Sequence, residues 1–212
     1  AMAYAGAAGD TAQEFRDTLG FVLEDGALHA SFNADNLEYE SRAEGGTGSD
    51  RDEQMQREGF RLEISNALWV QQGITMAKPF LDTLALNYGA GVNMLDFAGD
   101  TEAARETING WISNQTAGGV PDLFAPGILQ ADTPAVLTNT AYFSDRWRTE
   151  FSPGRTQMRP FSTPGGIVNV PTMQDEDTRS YVVRDGYQAT RLSYASGATS
   201  MMIIFLCHKR FQ

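Results

Sequence analysis

Histidine, cysteine and lysine are scarce in this chain, and each scarcity removes a class of function. The two histidines are His29 and His208. Hydrolysis through a side-chain nucleophile needs an adjacent base, which is usually histidine. His29 lies in a polar helical stretch and is expected to be exposed, while His208 falls in a short terminal segment. The chain contains no G-x-S-x-G elbow, no G-x-x-x-x-G-K-[ST] loop and no G-x-G-x-x-G turn. Catalysis therefore has no constellation to rest on, and the chain is not expected to be an enzyme. Cys207 is the single cysteine, so no internal disulfide can form and the redox compartment stays open. Lysine occurs only at Lys78 and Lys209, the other basic residues being arginine, which reads as the codon usage of a GC-rich, prokaryotic genome.

Positive charge is also short. Sixteen basic residues face 27 acidic ones, a net charge of −11 with a pI near 4.5. Nucleic acids and anionic membrane surfaces require basic patches, so neither is expected as a partner. The opening residues lack the charged start and apolar run of a signal peptide, and no stretch is long enough to span a bilayer. The acidic runs Asp175-Glu176-Asp177 and Asp50 to Glu53 lack EF-hand spacing and read as solvated loops. No metal and no cofactor are expected. Asn114-Gln115-Thr116 has the form of a glycosylation sequon but falls inside a helical pattern.

What is present is an ordinary globular composition with a clear order of elements. Asp10-Thr11-Ala12-Gln13 has the form of a capping box ahead of Phe15 and Leu19, which predicts a short helix. Leu28, Phe32 and Tyr39 mark one face of a second helix over 26–40. The span 41–59 is charged and glycine-rich, and reads as a loop. From Phe60 to Val70 the residues Phe60, Leu62, Ile64, Leu68 and Val70 alternate, which predicts a strand buried on one face. Lys78-Pro79 opens a helix running to Tyr88, and Val92 to Phe97 is a short strand. Asp100 caps a helix with Ala104, Ile108, Trp111, Ile112 and Gln115 on one stripe, ended by Gly118-Gly119. Pro134 to Phe143 has the content of a central strand, polar only at Thr138, Asn139 and Thr140. Four further strands are expected at Ile167 to Val170, Ser180 to Val183, Ala189 to Leu192 and Ser200 to Phe205. Helices first and strands after make an α+β fold.

Several segments, in order, resemble the serpin family of serine protease inhibitors. Met2 to Ala12 is similar to the end of serpin helix B and the turn into helix C. Ile64-Ser65-Asn66-Ala67-Leu68-Trp69-Val70 resembles the second strand of sheet A, and Asn109-Gly110-Trp111-Ile112 with Thr116 to Val120 resembles helix F. Leu137-Thr138-Asn139-Thr140-Ala141-Tyr142-Phe143, followed by Trp147, Phe151, Thr156 and Phe161, is similar to the third strand of sheet A and its continuation. Val170 to Met173, Leu192-Ser193-Tyr194 and Ser200 to Ile204 extend the likeness into sheets C and B.

The resemblance implies a partial serpin domain over 1–204, beginning inside helix B and truncated before the reactive loop, with 205–212 as an atypical tail. Ala8 and Ser144-Asp145 depart from the family pattern without threatening the fold. Serpins are suicide inhibitors: a cleaved loop inserts as an extra strand into sheet A and carries the acylated protease with it. By that likeness Asn139, Tyr142, Phe143, Trp147 and Thr156 belong to the regions where the sheet opens, Asn139 to the shutter and Trp147 to the breach. The implied partner of the parent is a serine protease, or a cysteine protease, in an extracellular or periplasmic setting. A non-inhibitory serpin acting as a binding or carrier protein is the alternative. Without a neighbour, the strand Val136 to Phe143 would present an open apolar edge.

Overall fold

The computed structural model describes residues 1–43, 60–176 and 178–206. Of the loop expected over 41–59, residues 41–43 belong to a helix instead, while 44–59 with the acidic run at Asp50, and Asp177, Cys207 and His208, lie outside the described residues. The chain forms two compact units, one within Ala1–Gly46 and Arg61–Phe143, the other within Thr47–Phe60 and Ser144–Gln212.

The first unit holds helices α1 (Gly9–Leu19), α2 (Asp25–Ala43), α3 (Lys78–Tyr88) and α4 (Thr101–Gln115) with strands β1 (Arg61–Gln71), β2 (Gly91–Leu95) and β3 (Ala135–Ser144). The strands form one sheet in the order β2-β1-β3. β1 and β2 run parallel, from Ala67 beside Gly91 to Gln71 beside Leu95, a pairing that needs a crossover, here α3. β3 runs against β1, since Gln71 N–H donates to Pro134 O while Thr138 and Thr140 hydroxyls reach Ala67 O and Ser65 O.

The capping box is not formed. Ala8 occupies the N-cap of α1 with no side-chain bond, and Asp10 sits in the first turn, where its charge suits the helix dipole. Asp100 does cap α4, its carboxylate accepting from Ala103 N–H at 3.0 Å. Beyond α4, Ala117 and Gly118 both take positive φ, the left-handed turn that ends the helix. Arg105 then holds the segment beyond: it pairs with Glu102 at 2.6 Å and Asp122 at 2.9 Å, and donates to Phe124 O. Asn109 also donates to Phe124 O, and accepts from Phe124 N–H.

β1 was expected to bury one face. Instead Ala67, Leu68, Trp69 and Val70 are all buried, because the sheet is covered on both sides. Ala67 and Trp69 pack with Phe97 and with Ala104, Ile108 and Ile112 of α4. Leu68 and Val70 pack on the other face with Leu84 and Tyr88 of α3. Period-two geometry sends alternate residues to opposite faces, and each buried large side chain contributes roughly 1.5–3 kcal/mol.

His29 is not exposed. It is buried, with Nδ1 2.7 Å from the Tyr88 hydroxyl, and Tyr4 lies beside it at 5.8 Å between ring centroids. Phe32 on the same helix packs with Tyr88, whereas Tyr39 near the helix end is exposed. Burial is the main cause holding the His29 imidazole below its ordinary pKa; Asp25 opposes the shift and the terminal amine adds to it. Burial likewise pushes the Tyr88 phenol up to about 12. A histidine whose folded pKa is depressed contributes stability that is present above its unfolded pKa near 6.5 and is lost as pH falls below that value toward the folded pKa. Urea midpoints measured at pH 7.5, 6.0 and 5.0 are expected to decline on acidification, with a shallower decline in His29→Gln. An unchanged slope in that variant would assign the acid sensitivity elsewhere.

The second unit contains two sheets. β4 (Gln157–Thr163) and β5 (Gly166–Thr172) form a hairpin, and β6 (Tyr181–Arg184), β7 (Tyr187–Ser193) and β8 (Ser200–Leu206) form an antiparallel sheet in that order. β4 was not among the expected strands, because Pro160 interrupts it. The proline is tolerated since a two-stranded sheet consists of edges, and it stands opposite Asn169. β8 continues through Phe205 and Leu206, opposite Gln188 and Tyr187. Asp175, from the acidic run, accepts from Arg179.

Candidate functional site at the β3 edge

Among the described residues β3 stands at one end of its sheet, with β1 as its neighbour; its content suggested a central strand. Its two faces are the reverse of an amphipathic edge. The polar Thr138 and Thr140 are buried, while Leu137 and Phe143 are 37% and 43% exposed. The inward threonines are matched to partners. Trp69 Nε1–H donates to Thr138 Oγ1 at 3.0 Å, and that oxygen lies 3.4 Å from Ala67 O. Thr140 makes the corresponding contact to Ser65 O at 3.4 Å. Buried hydroxyls placed this way avoid the desolvation cost of an unpaired polar group.

On the opposite face, Asn139 Nδ2 donates to Asn66 Oδ1 at 2.8 Å. Asn66 Nδ2 in turn donates to Tyr88 O, 2.9 Å away at the end of α3. Two carboxamides thus link β3, β1 and α3 in sequence. Tyr142 is half-buried with the Arg61 guanidinium over its ring at 5.1 Å, a cation–π arrangement. Asn139, Tyr142 and Phe143 therefore share one strand but not one cluster: Asn139 and Phe143 fall on one face and Tyr142 on the other.

Trp147 and Thr156 belong to the second unit. Trp147 stacks on Tyr194 with ring centroids 4.6 Å apart and planes 11° apart, and Phe151 meets it edge-on at 6.1 Å. The stack is clamped by backbone bonds on either side, Arg148 N–H to Ser193 O at 3.0 Å and Ala195 N–H to Arg146 O at 2.7 Å. Tyr194 is buried, and burial raises its phenol pKa, with Asp145 adding to the shift. Thr156 is exposed at the end of a 3-10 turn, its N–H donating to Pro153 O.

Asn66 and Trp69 are partners that sequence reading did not single out as site residues. A signal for Asn66 existed, because a carboxamide inside an apolar strand calls for a partner. Identifying Asn139 as that partner required the β1–β3 register.

A family model described as "Serpin (serine protease inhibitor)" matches residues 1–211. Among similar proteins, an uncharacterized serpin-like protein of Thermococcus kodakarensis is 33% identical over 213 residues, covering 100% of this chain and 46% of that protein. Antithrombin-III of Ovis aries is 35% identical over 145 residues, 68% of this chain and 31% of that protein. The chain spans less than half the length of either relative. Among solved structures, the cleaved Serpin 42Da superposes with a TM-score of 0.81 at 23% identity, over 99% of this chain and 53% of that one. Arabidopsis AtSerpin1 in its native stressed conformation gives a TM-score of 0.76 at 23% identity, over 97% of this chain and 50% of that one. Both structural likenesses speak to the fold.

Proposed function

Because the chain belongs to the serpin family, we propose that the protein carrying it is a protease inhibitor in which a cleaved loop is added as a strand beside β3. The observation that carries this reading is the position and chemistry of β3. Among the described residues it stands at one end of the strand order, and Leu137 and Phe143 are exposed there. Strand addition uses such an edge: backbone hydrogen bonds supply affinity, and side chains beyond them supply fit. The energy released when an incomplete sheet is completed is the store from which such an inhibitor draws.

On this reading Asn139 and Asn66 hold β3 against β1 in the receptive state, and Tyr142 with Arg61 steadies the same strand. Trp147 and Tyr194 form a rigid aromatic plate in the second unit. The protease partner would be of the serine class, with the cysteine class as an extension. Residues 1–204 would constitute one partial serpin domain, and the inserting loop would be supplied by sequence outside the described residues.

The direct test mixes the whole gene product with trypsin and with subtilisin and examines denaturing gels. A covalent complex stable to SDS, with loss of protease activity at a fixed stoichiometry, is expected. Cleavage of the protein without complex formation would instead favour a non-inhibitory binding or carrier serpin.

Residues 1–212 alone give a second expectation. They should self-associate through the β3 edge and should not trap a protease. Ala141→Lys places a charge on the exposed face of that edge, and is expected to cut the oligomer fraction several-fold in sedimentation velocity. A monomer that inhibits trypsin would sink the expectation outright.

A further inference from the structure

In the second unit, three arginines are among the residues lining a small cavity that plays no part in the reading above. The cavity has a volume of about 170 Å3 and is lined by Arg148, Arg179 and Arg191 together with hydroxyl residues that include Thr149, Ser180 and Ser193. No carboxylate is among its lining residues. In a chain with net charge −11, such a concentration of cations runs against the overall composition.

The three arginines come to the cavity wall from separate segments, Arg148 and Arg191 held through their backbones and Arg179 through its side chain. Arg148 follows Trp147 and is pinned by its backbone N–H, which donates to Ser193 O at 3.0 Å. Arg191 lies on β7, where its N–H donates to Ser180 O at 3.2 Å; the Thr190 hydroxyl donates to the same carbonyl at 3.1 Å. Arg179 is oriented by its ion pair with Asp175 and by the Phe151 ring, 5.8 Å below the guanidinium. Asp175 therefore offsets one of the three charges. Arg148 and Arg191 have no carboxylate partner among the described residues.

Like charges gathered around one concavity repel, and a bound anion relieves that repulsion. Guanidinium groups present planar forks of N–H donors suited to oxyanions, and hydroxyls add further donors. We propose that this cavity binds a tetrahedral oxyanion, either inorganic phosphate or the phosphoryl group of a small phosphomonoester. The volume admits one such group and excludes an extended polymer from the interior.

Equilibrium dialysis of the full chain against radiolabelled inorganic phosphate, at low chloride concentration, tests this directly. Saturable binding of one equivalent is expected, weakening as sodium chloride is raised. Arg148→Gln and Arg191→Gln, on separate segments with exposed side chains, should each lower the affinity about ten-fold or more. Arg159→Gln, on β4 and outside the cavity, should bind like the parent. Unlabelled glycerol phosphate is the second arm: displacement of the label assigns the phosphoryl group as sufficient, and its failure assigns the free anion. Absence of saturable binding in the parent chain overturns the proposal. So does binding that survives both cavity substitutions, since that would mark an adventitious ion only.

Discussion

Replacing Phe97 with alanine is expected to destabilise the first unit by about 3–5 kcal/mol, the range for removing a fully buried aromatic. Phe97 has no exposed surface and stands in the cluster formed by Ala67, Trp69, Ala104, Ile108 and Ile112. It lies between β2 and α4, where its carbonyl also accepts the Thr101 hydroxyl. Alanine would leave a cavity under the helix that covers the sheet. Surrounding groups can collapse only partially, because β1 is packed from its other face by Leu84 and Tyr88. Urea denaturation followed by far-ultraviolet circular dichroism reads this effect. Phe97→Leu should recover most of the loss. A penalty below about 1 kcal/mol for alanine would mean that α4 does not depend on this contact.

Thr138→Val is expected to cost about 1–3 kcal/mol although it exchanges side chains of nearly equal volume. The substitution removes the oxygen that accepts from Trp69 Nε1–H at 3.0 Å and leaves a buried donor unpaired. Thr138→Ser keeps the oxygen and gives up one methyl group, so its loss should be smaller. The order Val worse than Ser identifies the hydrogen bond as the cause. The reverse order would show that packing around the methyl dominates. On the proposed reading, the same substitution in the whole gene product should ease separation of β3 from β1, read as faster conversion to the relaxed form on heating.

Much of this fold was legible in the sequence where one physical signal acted alone. Lys78-Pro79 placed a helix start, Asp100 placed a cap, and the stripe Ala104, Ile108 and Ile112 became the buried face of α4. Readings failed where two signals competed. The strand over 157–163 was not expected, and its Pro160 is tolerated because each strand of the hairpin is an edge. Asp10 looked like a cap, yet the chain entered the helix two residues earlier. His29 sat among polar neighbours, but its partner Tyr88 is 59 residues away, a distance no local pattern encodes. For the candidate site, the sequence offered residues through family likeness but not their partners. Family likeness indicated Asn139 and Trp147, whereas the Asn66 and Tyr194 partners emerge only once register and stacking are known.

The order β2-β1-β3 also sets a schedule. β1 meets β2 after a single intervening helix, but Ser65 must wait for Thr140, 75 residues later in the chain. At synthesis rates of roughly 5–20 residues per second, that wait lasts about 4 to 15 seconds. Throughout it, the long free side of β1 stands without a neighbour while the β1-α3-β2 unit can already be complete. The strand that arrives last closes its loop at the greatest entropic cost. Within this sheet, among the described residues, it is therefore the pairing a growing chain secures latest, and the one where a nascent copy is most open to capture by a foreign strand.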